Sequence, residues 1–134
     1  MIKLKTESGN QIYPCIYDNS VDVIGNYFLI VFTNLQTRIS EGRVSSAYDY
    51  ETTANERLVY FEIIVNLANG YTMQENSFYK YDIYEQTSSS NRDVTDASVL
   101  GLRETGKAWV NGTSEVVYVK QPEANKTNSV YLKV

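Results

Sequence analysis

The chain has 134 residues, 43% of them hydrophobic and 21% charged, a balance that excludes wholesale disorder and fits one ordinary domain spanning 1–134. Its net charge is −4, and its twelve Lys and Arg are scattered singly along the sequence, which argues against a nucleic-acid or anionic-membrane partner. It contains no histidine and one cysteine, so Ser–His–Asp triads, Cys–His dyads, His-based zinc sites and intramolecular disulfides are all excluded.

The N-terminal Met1-Ile2-Lys3-Leu4-Lys5 alternates apolar and charged residues rather than showing the apolar block of a signal peptide, so the mature protein is expected to start at Met1. The alternation predicts a short strand over 2–6, then a turn at Ser8-Gly9-Asn10 and a strand over 11–17. Cys15 lies in that second apolar run and is expected to be a small buried hydrophobe. Tyr27–Thr33 is apolar at nearly every position, as in a central strand covered on both faces.

The window 46–56 carries no clear period. Its Tyr48-Asp49-Tyr50 reads as an exposed contact loop, and one helical turn is the most the window would hold. In 58–65 the odd positions are apolar and Glu62 points the other way. In 78–84, Tyr79, Tyr81 and Ile83 share one face and Lys80 and Asp82 the other, the period-2 pattern of a half-buried strand. The predicted core is therefore Phe28, Ile30, Phe32, Phe61, Ile63, Val65, Tyr79, Tyr81 and Ile83.

Residues 87–93 are polar and predict a loop. Short strands are expected over 99–103, 107–110, 116–120 and 130–134. Asn111-Gly112 suggests a hairpin, and 121–129 a crossover before the last strand. About seven to nine short strands with turns between them, and little or no helix, predict an all-β fold: an antiparallel β-sandwich of Greek-key, immunoglobulin-like or jelly-roll-like type.

Candidate chemistry is sparse. Glu62, Asp82 and Glu85 are the acids that a carboxylate-pair hydrolase would draw on, but they read as ordinary structural or surface charges, and no catalytic residue, metal or cofactor is expected. Asp18–Asp22 and Asp93–Asp96 each hold two acids in a loop and match no EF-hand pattern. Asn111-Gly112-Thr113 and Asn125-Lys126-Thr127 fit the glycosylation pattern at a frequency that chance explains.

Twelve tyrosines are the compositional oddity. Tyr48, Tyr50 and Tyr71 lie outside the clear strands and are candidate interface residues together with Asp49, since tyrosine is enriched at contact surfaces. Lys3, Lys5 and Lys133 in the terminal strands suit exposed sheet edges. Trp109, in a Lys-Ala-Trp-Val strand, is expected in the core; an exposed Trp109 would instead suit a glycan-binding platform.

Two passages carry a resemblance. Asn26–Asn34, NYFLIVFTN, resembles the YxLxVFTN strand of a family of small proteins of tailed bacteriophages, including crAss-like phages of Bacteroidetes. Tyr79–Asn91, YKYDIYEQTSSSN, is similar to that family's YxYxxYEQxSxxN, and Glu104-Thr105-Gly106-Lys107 to its ExGK. The resemblance implies a β-sandwich virion component, capsid-associated or in a neck or tail ring. Such a protein self-associates in many copies and contacts capsid or portal-proximal ring proteins. It supplies no catalytic residues. It also makes Ser88, Ser89, Ser90, Asn91 and Arg92 a candidate contact loop.

Overall fold

A computed structural model describes residues 1–16, 19–51 and 57–112, with the side chains of 49–51, 57 and 58 excepted. These residues form eight strands and no helix: β1 Ile2–Lys5, β2 Ser8–Ile12, β3 Tyr27–Asn34, β4 Ser40–Ser46, β5 Tyr48–Glu51, β6 Arg57–Val65, β7 Ser77–Gln86 and β8 Val99–Asn111. One sheet runs β1-β8-β7-β3-β4 and the other β2-β6-β5, an all-β, sandwich-like fold.

The core lies between the sheets. Phe28, Ile30, Phe32, Tyr79, Tyr81 and Ile83 come from the larger sheet and Phe61, Ile63 and Val65 from the smaller one, all of them buried. Phe28 and Phe61 meet edge to face across the sandwich at 5.1 Å. The chain changes sheet twice within short spans. β1 turns into β2 at Glu7, whose φ of 54° is the left-handed conformation of a tight turn, and β4 passes into β5 through buried Ala47.

Several expectations are corrected. The first turn sits at Thr6-Glu7, so Ser8-Gly9-Asn10 belongs to β2. β2 stops at Ile12, ahead of Pro14, which has no N–H to give a ladder. Ile16 takes the buried position beyond it, and Cys15 is exposed. Tyr48-Asp49-Tyr50 is strand rather than loop, because it pairs antiparallel with Tyr60, Val59 and Leu58 of β6. β4 has no apolar period and exists through its pairing with β3, from Tyr27↔Ser46 to Thr33↔Ser40.

The two short strands expected over 99–103 and 107–110 are one strand, β8, with two bulges where it follows β7. The pairing is antiparallel throughout the strand pairs except for β1, which runs parallel to β8 with Ile2 beside Ala108. The strands expected over 116–120 and 130–134, the crossover over 121–129 and the second arm of the Asn111-Gly112 hairpin lie outside the described residues.

Candidate interaction surfaces

The passages that carry the resemblance end in polar side chains, and these turn inward. Glu85 is fully buried at the end of β7. Its carboxylate accepts hydrogen bonds of 2.8–2.9 Å from Ser20 Oγ, the Val21 and Asp22 backbone N–H groups, Asn26 Nδ2 and Arg103 Nε. Burial alone would push this carboxyl up, but the hydrogen bonds outweigh it and hold the pKa down at about 2. Arg103 is the extra residue in the β8 bulge opposite Ile83 and Tyr84, which frees its guanidinium to reach Glu85. Gly101, at φ 156°, leaves the room: a Cβ there would lie 3.1 Å from Arg103 Nη1.

Gln86 is likewise fully buried and closes the loop that follows. Its Nε2 donates to the Ser88 and Asn91 carbonyls at 2.9 Å each, and its Oε1 accepts from Asn91 Nδ2 at 3.0 Å. Ser88 Oγ accepts from the Ser90 and Asn91 N–H groups. Ser88 and Asn91 of the expected contact loop are therefore half-buried and spent on holding its shape, while Ser89, Ser90 and Arg92 are exposed. Asn34 does the same work at the β3–β4 turn, where its Oδ1 accepts from the Gln36 and Thr37 N–H groups.

Glu104 and Gly106 both serve Tyr81. Glu104 Oε2 accepts the Tyr81 hydroxyl at 3.0 Å. Burial, together with that carboxylate, pushes the Tyr81 phenol up to about 12. A Cβ on Gly106 would lie within 2.7 Å of the Tyr81 ring, so only glycine lets the ring cross this strand.

The acids considered for catalysis do not meet. Glu62 is exposed on the outer face of the smaller sheet and Glu85 is locked inside. Asp82, expected among surface charges, is buried on the outer side of β7, where its Oδ1 accepts the Thr105 hydroxyl at 2.7 Å and its Oδ2 lies 3.6 Å from Lys80 Nζ. In the acidic loops, Asp22, Asp93 and Asp96 accept the N–H groups of Gly25, Thr95 and Ser98 in local turns, and Asp18 lies outside the described residues. The Thr95 hydroxyl, which also donates to Asp93, and then these N–H groups hold the Asp93 and Asp96 carboxyls below the ordinary aspartate range. Among the described residues no group of three or more His, Cys, Asp or Glu is placed to hold a metal ion. No helix among them is long and apolar enough to cross a membrane.

Tyr71, expected at an exposed interface, is buried in the core. It is 4% exposed, and its hydroxyl donates to the Ile30 carbonyl of β3 at 2.6 Å while its ring meets Phe32 edge to face at 4.9 Å. It ties the loop after β6 to the opposite sheet, and burial pushes its phenol up. Tyr71 also floors a cavity of about 530 Å³ with Phe32, Met73 and Tyr79. The polar groups there are already engaged: Tyr79 Oη accepts the Gln74 N–H, and Glu41 accepts from Arg43 and from the Thr72 N–H.

Two aromatic surfaces remain open, one on each outer face. On the smaller sheet Tyr48, 48% exposed, stacks on Tyr60 at 5.0 Å, and Tyr13 lies 5.8 Å beyond. Asp49 and Tyr50 are in β5, and their side chains lie outside the described residues. On the larger sheet Trp109 is half-buried and exposed to the outside rather than in the core. Its neighbours Ala108 and Val110 take the inward positions, and its indole lies 4.6 Å from the ring of Phe78. The sequence held a signal for this: Trp109 has the parity of Lys107 and Asn111, two polar residues that belong outside.

No family model, no curated protein and no solved structure matches this chain.

Proposed function

We propose that the chain is a non-enzymatic structural subunit that works by repeated protein–protein contact, as a capsid-associated or neck/tail-ring component of a tailed-bacteriophage particle. Its partners are then further copies of itself and the capsid or portal-proximal proteins of that virion. The particle itself is implied only by the resemblance of 26–34 and 79–91. The observation that favours a contact role is where the polar groups go. Glu85, Gln86, Asn91 and Asn34 are consumed in holding loops, and what the described surface offers a partner is aromatic, on both outer faces of the sandwich. A subunit with two open faces has room for two neighbours, and symmetry multiplies a modest contact.

Mass spectrometry of purified particles tests this reading. Copies on the order of hundreds indicate a head role and roughly a dozen a ring. Absence from particles discards it.

One observation favours a second reading, a glycan-binding module. Trp109 and Phe78 form an exposed ring pair on a rigid sheet, the kind of surface on which a pyranose stacks.

A further inference from the structure

We infer that the outer face of the five-stranded sheet around Phe78 and Trp109 is a binding site for an acidic polysaccharide. The inference rests on the glycan-binding reading and names the class of glycan.

The strand register assembles the face. Lys3 of β1, Trp109 of β8 and Phe78 of β7 stand in one row, because Lys3 pairs with Trp109 and Phe78 with Trp109. The next row holds Lys107 beside Lys80, and Lys5 stands beside Asn111 on the other side. Paired residues share a face, and positions two apart on a strand are about 7 Å apart, so the four lysines surround the ring pair within a few residues' reach.

All four lysines of the described residues are on this face, and all are exposed. Lys80 has Asp82 at 3.6 Å, and Lys3, Lys5 and Lys107 have no ion pair among the described residues. In a chain of net charge −4, the part of the face built by β1, β8 and β7 carries four lysines against Asp82 and is locally of the opposite sign, while Arg92 and Asp93 lie together on its β3–β4 side. Phe78 is 48% exposed, and the Trp109 indole is held in place by its Nε1, which donates to Asn111 Oδ1 at 2.6 Å.

The chemistry of the face selects among anionic partners. It is an open sheet surface with two rings, which suits the apolar side of a sugar ring better than a groove-seeking peptide. Its cations are lysines, compact point charges that pair with single carboxylates. Lysines rather than arginines flank the ring pair in the strand rows: Arg103 is committed to Glu85, Arg43 to Glu41, and Arg92 lies away from the rings, by Val31, Gly42 and Tyr84. A nucleic acid brings dense phosphate charge that the acidic remainder of the chain repels, whereas a uronic-acid polymer is more sparsely charged.

The full chain carries its own reporter, because Trp109 is the single tryptophan. Its fluorescence is titrated with polygalacturonate, dextran and a single-stranded DNA oligomer. The expected result is a saturable change with polygalacturonate that weakens about tenfold in Lys80→Gln/Lys107→Gln and with added salt. Phe78→Ala abolishes the change, and dextran and DNA give little response. Silence toward every polymer overturns both the inference and the glycan-binding reading. An equal response to dextran overturns the acidic preference alone, and tighter DNA binding assigns the face to nucleic acid instead. Trp109 shielded from acrylamide in the free protein overturns the inference by showing the face already covered. None of these results bears on the particle reading, which the mass spectrometry decides.

Discussion

The two ends of β7 treat polar and aromatic residues in opposite ways. At its C-terminal end Glu85 and Gln86 are fully buried, and each polar atom of Glu85 is matched by donors from 20–26 and from Arg103. At its N-terminal end Phe78 stands on the surface against Trp109, in a row with Lys3. Polarity by itself therefore does not mark the contact surface of this protein. A buried carboxylate with five donors is a fastening that sets the 20–26 loop and the β8 bulge at Arg103, and a large ring left outside is material for a partner.

Four perturbations probe that contrast. The largest effect is expected for Glu85→Ala, which strands Arg103 and unties 20–26. Urea unfolding should show a loss of about 3–5 kcal/mol. Protonating the same carboxyl should give the next. Because its folded pKa of about 2 lies below its ordinary value, its contribution is complete above the unfolded pKa. That contribution is then lost as pH falls from about 4.5 toward 2. Acid titration of wild type beside Glu85→Gln should show the slope in the former and a flatter profile in the latter.

Gly106→Ala pushes a methyl into the Tyr81 ring and should cost about 1–3 kcal/mol by the same unfolding assay. The smallest effect is expected at the other end of β7. Phe78→Ala should change stability by about 0.5–1 kcal/mol, the worth of one exposed cross-strand pair, while clearly altering Trp109 emission. A Phe78→Ala loss as large as that of Glu85→Ala would erase the contrast.

Alternation alone places the faces of β6 and β7, since Val59, Phe61, Ile63 and Val65 fall inside and Glu62 outside, and the unbroken apolar run of β3 marks it as an interior strand, paired on both sides, although β7 is the middle one. Three kinds of feature escape it. β4, SEGRVSS, takes its conformation from its partner β3 and not from its own side chains. The parallel pairing of Ile2 with Ala108 joins residues from opposite ends of the described chain, which no local pattern encodes. The bulk of Trp109 suggests the core, but its parity with Lys107 and Asn111 puts it on the outer face.

The candidate site was legible only in part. Tyr48 is exposed as expected of a contact residue, but Tyr71 is buried because its hydroxyl finds the Ile30 carbonyl across the sandwich. Ser88 and Asn91 look like a polar surface loop in sequence because their partners, the Gln86 amide and backbone groups of the same loop, emerge only in three dimensions.

Amide hydrogen exchange in the native protein tests the central contrast most directly. If the polar passages are fastenings, the amides of Val21, Asp22 and Asn91 exchange slowly despite lying in loops, and Glu85→Gln releases Val21 and Asp22 while leaving Asn91 protected. Fast exchange of all three in the wild-type protein would contradict the account and return these segments to the status of free contact loops.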